Sequence, residues 1–172
     1  MIKNFYPNEY VKSIFHIDYE KLKAKGIQNI IFDIDNTIEP YDIALPSQKD
    51  KDLIEKIKDM GFSIGLVSNN RGKRVEIFNK DLKLPAKSNA MKPLKGGVRK
   101  IMGEIHAKPE NTAFVGDQVF TDVWCSRRIG LYSILVNPIA LRDEFSVRLK
   151  RGLERKIISA YCRENGISLK DI

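Results

Sequence analysis

One stretch constrains the fold of this chain more than any other. Residues 30–37 read IIFDIDNT. The apolar start is typical of a buried β-strand, and Thr37 and Pro40 indicate that the chain leaves the strand there. Open α/β sheets bind their ligands in the crevice at the carboxyl ends of the strands. We therefore expect Asp33 and Asp35 to reach such a crevice together.

Two carboxylates this close have a restricted chemistry. They repel each other unless a cation lies between them or one of them is protonated. One of the pair could attack an electrophile while the other transfers protons. The alternative is an acidic turn at the end of a strand, because Asp and Asn favour turns, and D-x-D-N-T alone does not exclude it.

Strands and helices alternate along the rest of the chain. This predicts a three-layer α/β/α, Rossmann-like fold with a mostly parallel, doubly wound sheet. We expect five strands, at about 28–33, 62–67, 85–87, 112–115 and 132–136. Before them, one helical pattern runs from Pro7 through Ile14, and Asp18 caps a second that Gly26 stops.

No linker divides the 172 residues, so we expect one domain. It comprises an N-terminal helical appendage (1–26), a catalytic core (28–138) and a basic helical C-terminal segment (139–172). The hydrophobic content of 42% and charged content of 30% are typical of a globular protein. No apolar run has the length of a membrane span, and residues 1–10 lack the apolar core of a secretory signal, which predicts a cytoplasmic location. Cys125 and Cys162 are isolated and expected to be reduced.

Polar groups end three of the five predicted strands. They are Asp33 with Asp35, Ser68 with Asn69, and Asp117 with Asp122, and Lys92 lies between the second and third groups. Right-handed crossovers place all of these strand ends on one edge of the sheet. Each group has a structural alternative, as a helix cap, a turn or one of many lysines, but the joint coincidence in this order is much rarer than any single one.

This order of residues resembles the haloacid dehalogenase (HAD) superfamily of phosphohydrolases. The D-x-D-x-T signature matches residues 33–37, the second motif Ser68, the third Lys92, and the fourth, G-D-x-x-x-x-D, residues 116–122. More narrowly, the chain resembles the IIIA-type phosphatases of the YqeG group, which are related to phosphatidylglycerophosphate phosphatases. The features shared with that group are residues 5–7, 11–15, 67–70 and 116–122. One departure is Glu39-Pro40-Tyr41-Asp42, where the group more often has a hydrophobic residue and then Trp-Asp.

The resemblance implies a Mg²⁺-dependent phosphatase that forms an aspartyl-phosphate. Asp33 would be the nucleophile and Asp35 the general acid and base. Ser68, Asn69 and Lys92 would hold the phosphoryl oxygens, with Lys92 also stabilising charge in the transition state. The metal ligands would be the Asp33 carboxylate, the Asp35 main-chain carbonyl and Asp117, with Asp122 as a ligand or as support behind the ligands.

The resemblance also bears on the substrate. Segments 38–46 and 70–91 are too short for the large cap domain of superfamily members with closed sites. We therefore expect an open site and a bulky phosphorylated substrate, with phosphatidylglycerophosphate favoured.

The C-terminal segment allows two interpretations. Its apolar residues recur every four positions among basic ones, and the net charge of the chain is +8. The segment could be a helix docked on the sheet with a solvated basic face, or it could contact an anionic membrane, in which case the enzyme would be peripheral at the inner face. The apolar residues are Leu141, Phe145, Leu149, Leu153, Ile157 and Tyr161, and the basic ones are Arg148, Lys150, Arg151, Arg155 and Lys156.

Two further hypotheses compete with a phosphatase. A basic ribosome- or RNA-associated factor with incidental phosphatase activity would also explain the charge, although no RNA-binding aromatic signature is present. A phospho-accepting receiver domain also uses Asp, Thr and Lys, but it gives the second Asp of the pair no role.

Overall fold

The computed structural model describes residues 2–140 and 145–168, with the backbone alone for 145–151. Within these residues the central sheet has six strands, all paired in parallel, in the order β1-β6-β5-β2-β3-β4. The strands are β1 Glu9–Val11, β2 Asn29–Phe32, β3 Ser63–Val67, β4 Ala86–Lys87, β5 Thr112–Gly116 and β6 Tyr132–Val136. The predicted parallel α/β sheet is confirmed.

Helices connect the strands and cover both faces of the sheet. Asp18 caps the first helix by accepting a hydrogen bond from the Lys21 N–H at 2.9 Å, as predicted. A single π-helical turn, Val119–Val123, leads into α5. The α-helices are α1 Tyr19–Ala24, α2 Gln48–Asp59, α3 Gly72–Asn79, α4 Gly96–Glu104, α5 Trp124–Ile129 and α6 Phe145–Glu164.

The N-terminal segment corrects one prediction. The helix expected from Pro7 through Ile14 is wrong, because Glu9–Val11 forms the edge strand β1 and raises the strand count from five to six. In this strand Tyr10 lies opposite Leu135 of β6. The partner is far away in sequence, so the three residues give no local signal of a strand.

The strand β2 is buried on both faces, which fixes the position of the residues that follow it. Ile30 and Phe32 pack with the helices α1, α2 and α3, whereas Ile31 packs with α4 on the other face. Strands covered on both sides are apolar at successive positions, as the first half of residues 30–37 is. Cys125 and Cys162 are both buried and not in a disulfide, as predicted.

The described part of α6 docks through fewer residues than the predicted stripe. Ile157 and Tyr161 are buried, but Leu153 is 56% exposed, so its predicted place in the docked face is wrong. Residues four apart on a helix drift by roughly 40° per step, so a stripe at that spacing leaves any one face. The buried positions in the described part of α6 are instead 154, 157, 161 and 162.

The other predicted residues of this segment divide into two groups. Arg155 and Lys156 are exposed. Leu141 lies outside the described residues, as do the side chains of Phe145, Arg148, Leu149, Lys150 and Arg151.

None of the helices in the described ranges combines the length and the apolarity that crossing a membrane requires.

Candidate active site

The ends of β2, β3 and β5 converge at one edge of the sheet, as the crossover rule predicts. The main chain continues the strand ladder by one residue at two of these ends. The Asp33 N–H donates to the Val115 carbonyl at 2.8 Å, and the Ser68 N–H donates to the Lys87 carbonyl at 2.9 Å. We call Asp33, Asp35, Ser68, Lys92, Asp117 and Asp122 the charged cluster.

The turn after β2 explains the sequence D-x-D-N-T. Asn36 has a φ of 62°, in the left-handed region that Asn tolerates better than most residues. The turn brings Thr37 back towards the strand end, where its hydroxyl donates to Asp33 Oδ2 at 3.1 Å. The same hydroxyl lies 3.4 Å from Asp117 Oδ1. Thr37 therefore ties the first motif to the fourth.

Lys92 lies at the centre of the charged cluster and is 6% exposed. Its ammonium forms ion pairs with Asp33 and with Asp122, the latter at 2.7 Å. The side-chain amide of Asn69 brackets the backbone of Lys92, accepting from its N–H at 2.7 Å and donating to its carbonyl at 3.0 Å. Asn69 thus positions Lys92, and its predicted contact with a phosphate stays a prediction.

Asp35 is held by two side chains from the next strand and helix. Ser68 donates its hydroxyl to Asp35 Oδ2 at 2.7 Å, and Arg74 Nε lies 3.4 Å from Asp35 Oδ1. Arg74 also donates to the carbonyl of Ala44 at 3.0 Å, which fixes the loop after β2. Sequence analysis missed this role of Arg74. The available signal was an arginine six residues after Ser68, on the helix that follows the second motif.

Gly116 gives Asp122 room to approach the cluster. A Cβ atom at this position would lie 2.4 Å from Asp122 Oδ2, which is closer than real atoms come. The same oxygen accepts a hydrogen bond from the Gln118 N–H at 3.1 Å. The glycine of G-D-x-x-x-x-D is therefore required by the packing of the last aspartate of the motif.

The cluster carries more negative than positive charge. The four carboxylates of Asp33, Asp35, Asp117 and Asp122 face two cations, Lys92 and Arg74. The pKa of Asp33 is raised to about 7, chiefly by burial and also by the neighbouring carboxylates of Asp122 and Asp35, while Lys92 acts to lower it. Burial works to lower the pKa of Lys92, but attraction to Asp122 and Asp33 outweighs it, so this pKa lies above its usual value.

The donor set suits a divalent cation. One carboxylate oxygen each from Asp33, Asp117 and Asp122 lies within 4.8 Å of the others. A cation among them would compensate the excess negative charge and lower the pKa of Asp33. All-oxygen donors of this kind favour hard ions such as Mg²⁺ or Mn²⁺.

Comparison with known proteins identifies the family of this chain. Residues 2–139 match the model of the family described as mitochondrial PGP phosphatase. The chain belongs to that family. The probable phosphatase YqeG of Bacillus subtilis, a relative, is 37% identical over 172 residues, which are 99% of this chain and 100% of that protein.

A second relative of this PGP phosphatase family member is longer. It is the chloroplastic/mitochondrial phosphatidylglycerophosphate phosphatase 1 of Arabidopsis thaliana, 28% identical over 170 residues. The match covers 92% of this chain and 48% of the plant protein, so the chain spans about half the length of that relative.

Solved structures confirm the fold. The cobalt-bound deoxy-D-mannose-octulosonate 8-phosphate phosphatase of Haemophilus influenzae aligns with a TM-score of 0.54 at 14% identity, over 81% of this chain and 91% of that one. A subfamily IIIA HAD hydrolase of Legionella pneumophila aligns with a TM-score of 0.52 at 14% identity, over 84% and 86%. The prediction of a HAD-family phosphatase is confirmed by these matches together with the family model and the curated relatives.

Proposed function

We propose that this phosphatase uses Mg²⁺ to hydrolyse a lipid phosphate monoester, phosphatidylglycerophosphate, through an aspartyl-phosphate on Asp33. The observation that carries the proposal is the convergence of Asp33, Asp117 and Asp122 around the buried Lys92. The names of the family and of the plant relative support the choice of substrate.

In the first step an Asp33 carboxylate oxygen attacks the phosphorus. The bond from phosphorus to the ester oxygen breaks, and the leaving alkoxide takes a proton from Asp35. Ser68 and Arg74 hold Asp35 beside the nucleophile, which keeps the acid in reach of the ester oxygen. Lys92 donates to the phosphoryl oxygens and stabilises their charge in the transition state. Ser68, whose one hydroxyl hydrogen is donated to Asp35, would donate to a phosphoryl oxygen only after its hydroxyl turns away from Asp35.

In the second step water attacks the phosphorus of the aspartyl-phosphate. Asp35, now ionised, takes a proton from this water, and the bond from phosphorus to Asp33 breaks to release inorganic phosphate. Both side chains return to their starting protonation states. The second carboxylate of the D-x-D pair, which a receiver domain would not need, is used in both steps.

Mg²⁺ would be held by the carboxylates of Asp33 and Asp117 and by the main-chain carbonyl of Asp35, with Asp122 as a further ligand or as support. The cation supplies positive charge that offsets the repulsion between the attacking carboxylate and the phosphate. Lys92 alone cannot do this, because four carboxylates already compete for two protein cations.

The surroundings of the charged cluster support a lipid substrate. The loops that follow β2, β4 and β6 border the cluster, since the Ile139 N–H donates to the Asn36 carbonyl at 3.1 Å and Arg74 holds Ala44. Among the described residues, these loops carry six exposed large apolar side chains: Tyr41, Ile43, Leu45, Met91, Leu94 and Ile139.

Basic side chains also lie at this edge of the sheet. Arg71 and Lys73 are exposed where α3 begins after β3. Apolar side chains flanked by cations suit an anionic lipid surface. We infer that the enzyme meets its substrate from the cytoplasm at the inner face of a membrane. Contact through the basic C-terminal segment stays a prediction.

The test is release of phosphate from phosphatidylglycerophosphate in anionic vesicles, compared with release from soluble p-nitrophenyl phosphate. We expect the wild type to hydrolyse both, to lose activity when Mg²⁺ is chelated, and to regain it when Mg²⁺ is returned. Changing Ile43, Leu45 and Met91 together to Ser should weaken vesicle binding and lower turnover of the vesicle substrate several-fold. Turnover of p-nitrophenyl phosphate should remain unchanged.

Ile77→Ser is the matched control, because Ile77 is also exposed but belongs to α3 and not to these loops. The lipid substrate is wrong if the wild type hydrolyses the soluble ester but neither binds vesicles nor acts on phosphatidylglycerophosphate. Co-sedimentation with ribosomes in that case would favour the ribosome-associated alternative.

A further inference from the structure

Beside the charged cluster, the same edge of the sheet opens into a cavity. It has a volume of about 270 Å³ and lies between α6 and the ends of β1 and β6. We call it the α6 cleft, and its lining includes Tyr10, Asp117, Asn137, Glu154, Arg155 and Ile158. Building on the proposed function, we propose that this cleft binds a second anionic group of the substrate, with Arg155 as its cation.

The position of the cleft suits a group joined to the reacting phosphate. Asp117 belongs both to the charged cluster and to the wall of the cleft. Along the sheet, β2 with Asp33 is followed by β5, then by β6 with Asn137 at its end. Neighbouring strands are about 4.8 Å apart, so the two strand ends are separated by roughly 10 Å. A three-carbon linker and the long Arg155 side chain together can bridge that distance.

Arg155 is the residue of the cleft that can bind an anion, because the two carboxylates of the cleft, Asp117 and Glu154, already have other contacts. Glu154 is 7% exposed, and its carboxylate accepts a hydrogen bond from the Phe120 N–H at 3.1 Å, so it is committed to the turn before α5. Asp117 faces the metal donor group. Of the described residues that line the cleft, Arg155 is the cation, and it is exposed. A guanidinium matches the paired oxygens of a phosphate or phosphodiester.

The helix that carries Arg155 is held in place. Ile157 and Tyr161 are buried against the N-terminal segment, where the rings of Tyr6 and Tyr161 meet at 5.5 Å. The Tyr6 hydroxyl also donates to Glu164 at 3.0 Å. The backbone of Arg155 is therefore held at a fixed position beside the cleft. Ile158 adds an apolar wall that suits the carbon atoms of a linker.

The wall opposite α6 is also ordered. The Tyr10 hydroxyl donates to Asn137 Oδ1, and the Asn137 N–H donates to the Lys12 carbonyl at 3.3 Å. The edge strand β1 is thus what closes the cleft on this side. The ligand class that fits is a phosphodiester or a second phosphate, linked through a short polyol to the phosphate that is removed.

The experiment compares Arg155→Gln with Lys156→Gln. Lys156 is the next residue along α6, it is exposed, and it does not line the cleft. The three substrates are p-nitrophenyl phosphate, which has one anionic group, glycerol 1,3-bisphosphate and a water-soluble short-chain phosphatidylglycerophosphate. For Arg155→Gln we expect KM to rise about tenfold for a two-anion substrate relative to p-nitrophenyl phosphate, as for loss of one charge-assisted hydrogen bond. Arg155→Lys should recover part of this ratio.

The arms of the experiment separate the sources of the anion. A rise for both two-anion substrates supports a phosphate of either source, and a rise for the short-chain lipid alone supports a lipid phosphodiester. An unchanged KM ratio in Arg155→Gln overturns the inference while leaving the phosphatase intact, as does an equal effect of Lys156→Gln. If the wild type hydrolyses p-nitrophenyl phosphate but neither two-anion substrate, both this inference and the proposed lipid substrate are wrong. The proposed chemistry at Asp33 is not affected by that result.

Discussion

The charged cluster and the α6 cleft lie on the same edge of the sheet but are built in different ways. The side chains that hydrogen-bond to Asp33 are those of Thr37, in the motif that follows β2, and Lys92, which precedes α4. The walls of the cleft come from Asp117 of the fourth motif and from Tyr10, Asn137 and Arg155, which are distant in sequence and belong to none of the four motifs. In this enzyme, the candidate catalytic residues can be recognised from short sequence motifs. The cleft that we assign to specificity is formed mainly by residues that only long-range packing brings together.

Burial separates the two regions as well. Asp33, Lys92 and Asp122 are buried ions that depend on one another, so removing one leaves an uncompensated charge. Arg155 is exposed, so water can solvate the neighbouring groups when the arginine is replaced. We therefore expect changes in the cluster to affect every substrate strongly, and changes in the cleft to affect some substrates moderately.

The largest expected effect is that of Asp33→Asn. An amide cannot act as the anionic nucleophile, so kcat should fall by at least about 10³-fold for every ester. Circular dichroism and thermal unfolding should show that the fold persists. Asp42→Asn is the control, since Asp42 is an exposed carboxylate in the loop after β2. Wild-type turnover in a folded Asp33→Asn protein would remove Asp33 from the mechanism.

A smaller and selective effect is expected for Asp35→Asn. Loss of the general acid should lower kcat about 10²-fold for an alkyl phosphate and less for p-nitrophenyl phosphate, whose leaving group needs little protonation. The dependence of rate on Mg²⁺ concentration should change little, because the proposed metal contact is the main-chain carbonyl. Equal losses on both esters with a weakened response to Mg²⁺ would contradict the assignment.

The smallest effect on catalysis is expected where α6 docks. Ile157→Ala should lower the free energy of unfolding by about 2–4 kcal/mol, because Ile157 is buried, whereas Leu153→Ala should change it by less than about 0.5 kcal/mol. In both variants the folded protein should keep its kcat for p-nitrophenyl phosphate. Denaturant unfolding measures the difference, and equal losses of stability would show that the helix does not dock as described.

The same contrast explains what could be predicted from sequence. The parallel sheet, the helix cap at Asp18 and the convergence of the motif residues follow from local patterns and from the handedness of the crossovers. Their positions depend on residues close to them in the chain, so periodicity and turn chemistry are sufficient.

The features that the sequence did not predict depend on contacts between residues that are far apart in the chain. The strand β1 is specified by pairing with β6, as in the bond from the Asn8 N–H to the Ser133 carbonyl at 2.8 Å, and Pro7 beside it imitates a helix start. Arg74 reaches Asp35 only through the packing of α3 against the loop after β2. The exposure of Leu153 depends on which face of α6 meets the N-terminal segment. None of these is encoded by a neighbouring residue.

The most direct test of the proposed nucleophile, Asp33, is to trap the phosphoryl group on the protein. Asp35→Asn protein, whose second step lacks its base, is mixed with p-nitrophenyl phosphate and Mg²⁺, quenched in acid and digested for mass spectrometry. We expect the peptide that contains Asp33 to gain the mass of one phosphoryl group, and Asp33→Asn protein to gain none. Turnover with no phosphoryl group on any peptide, or with the group on another residue such as Ser68, would contradict it.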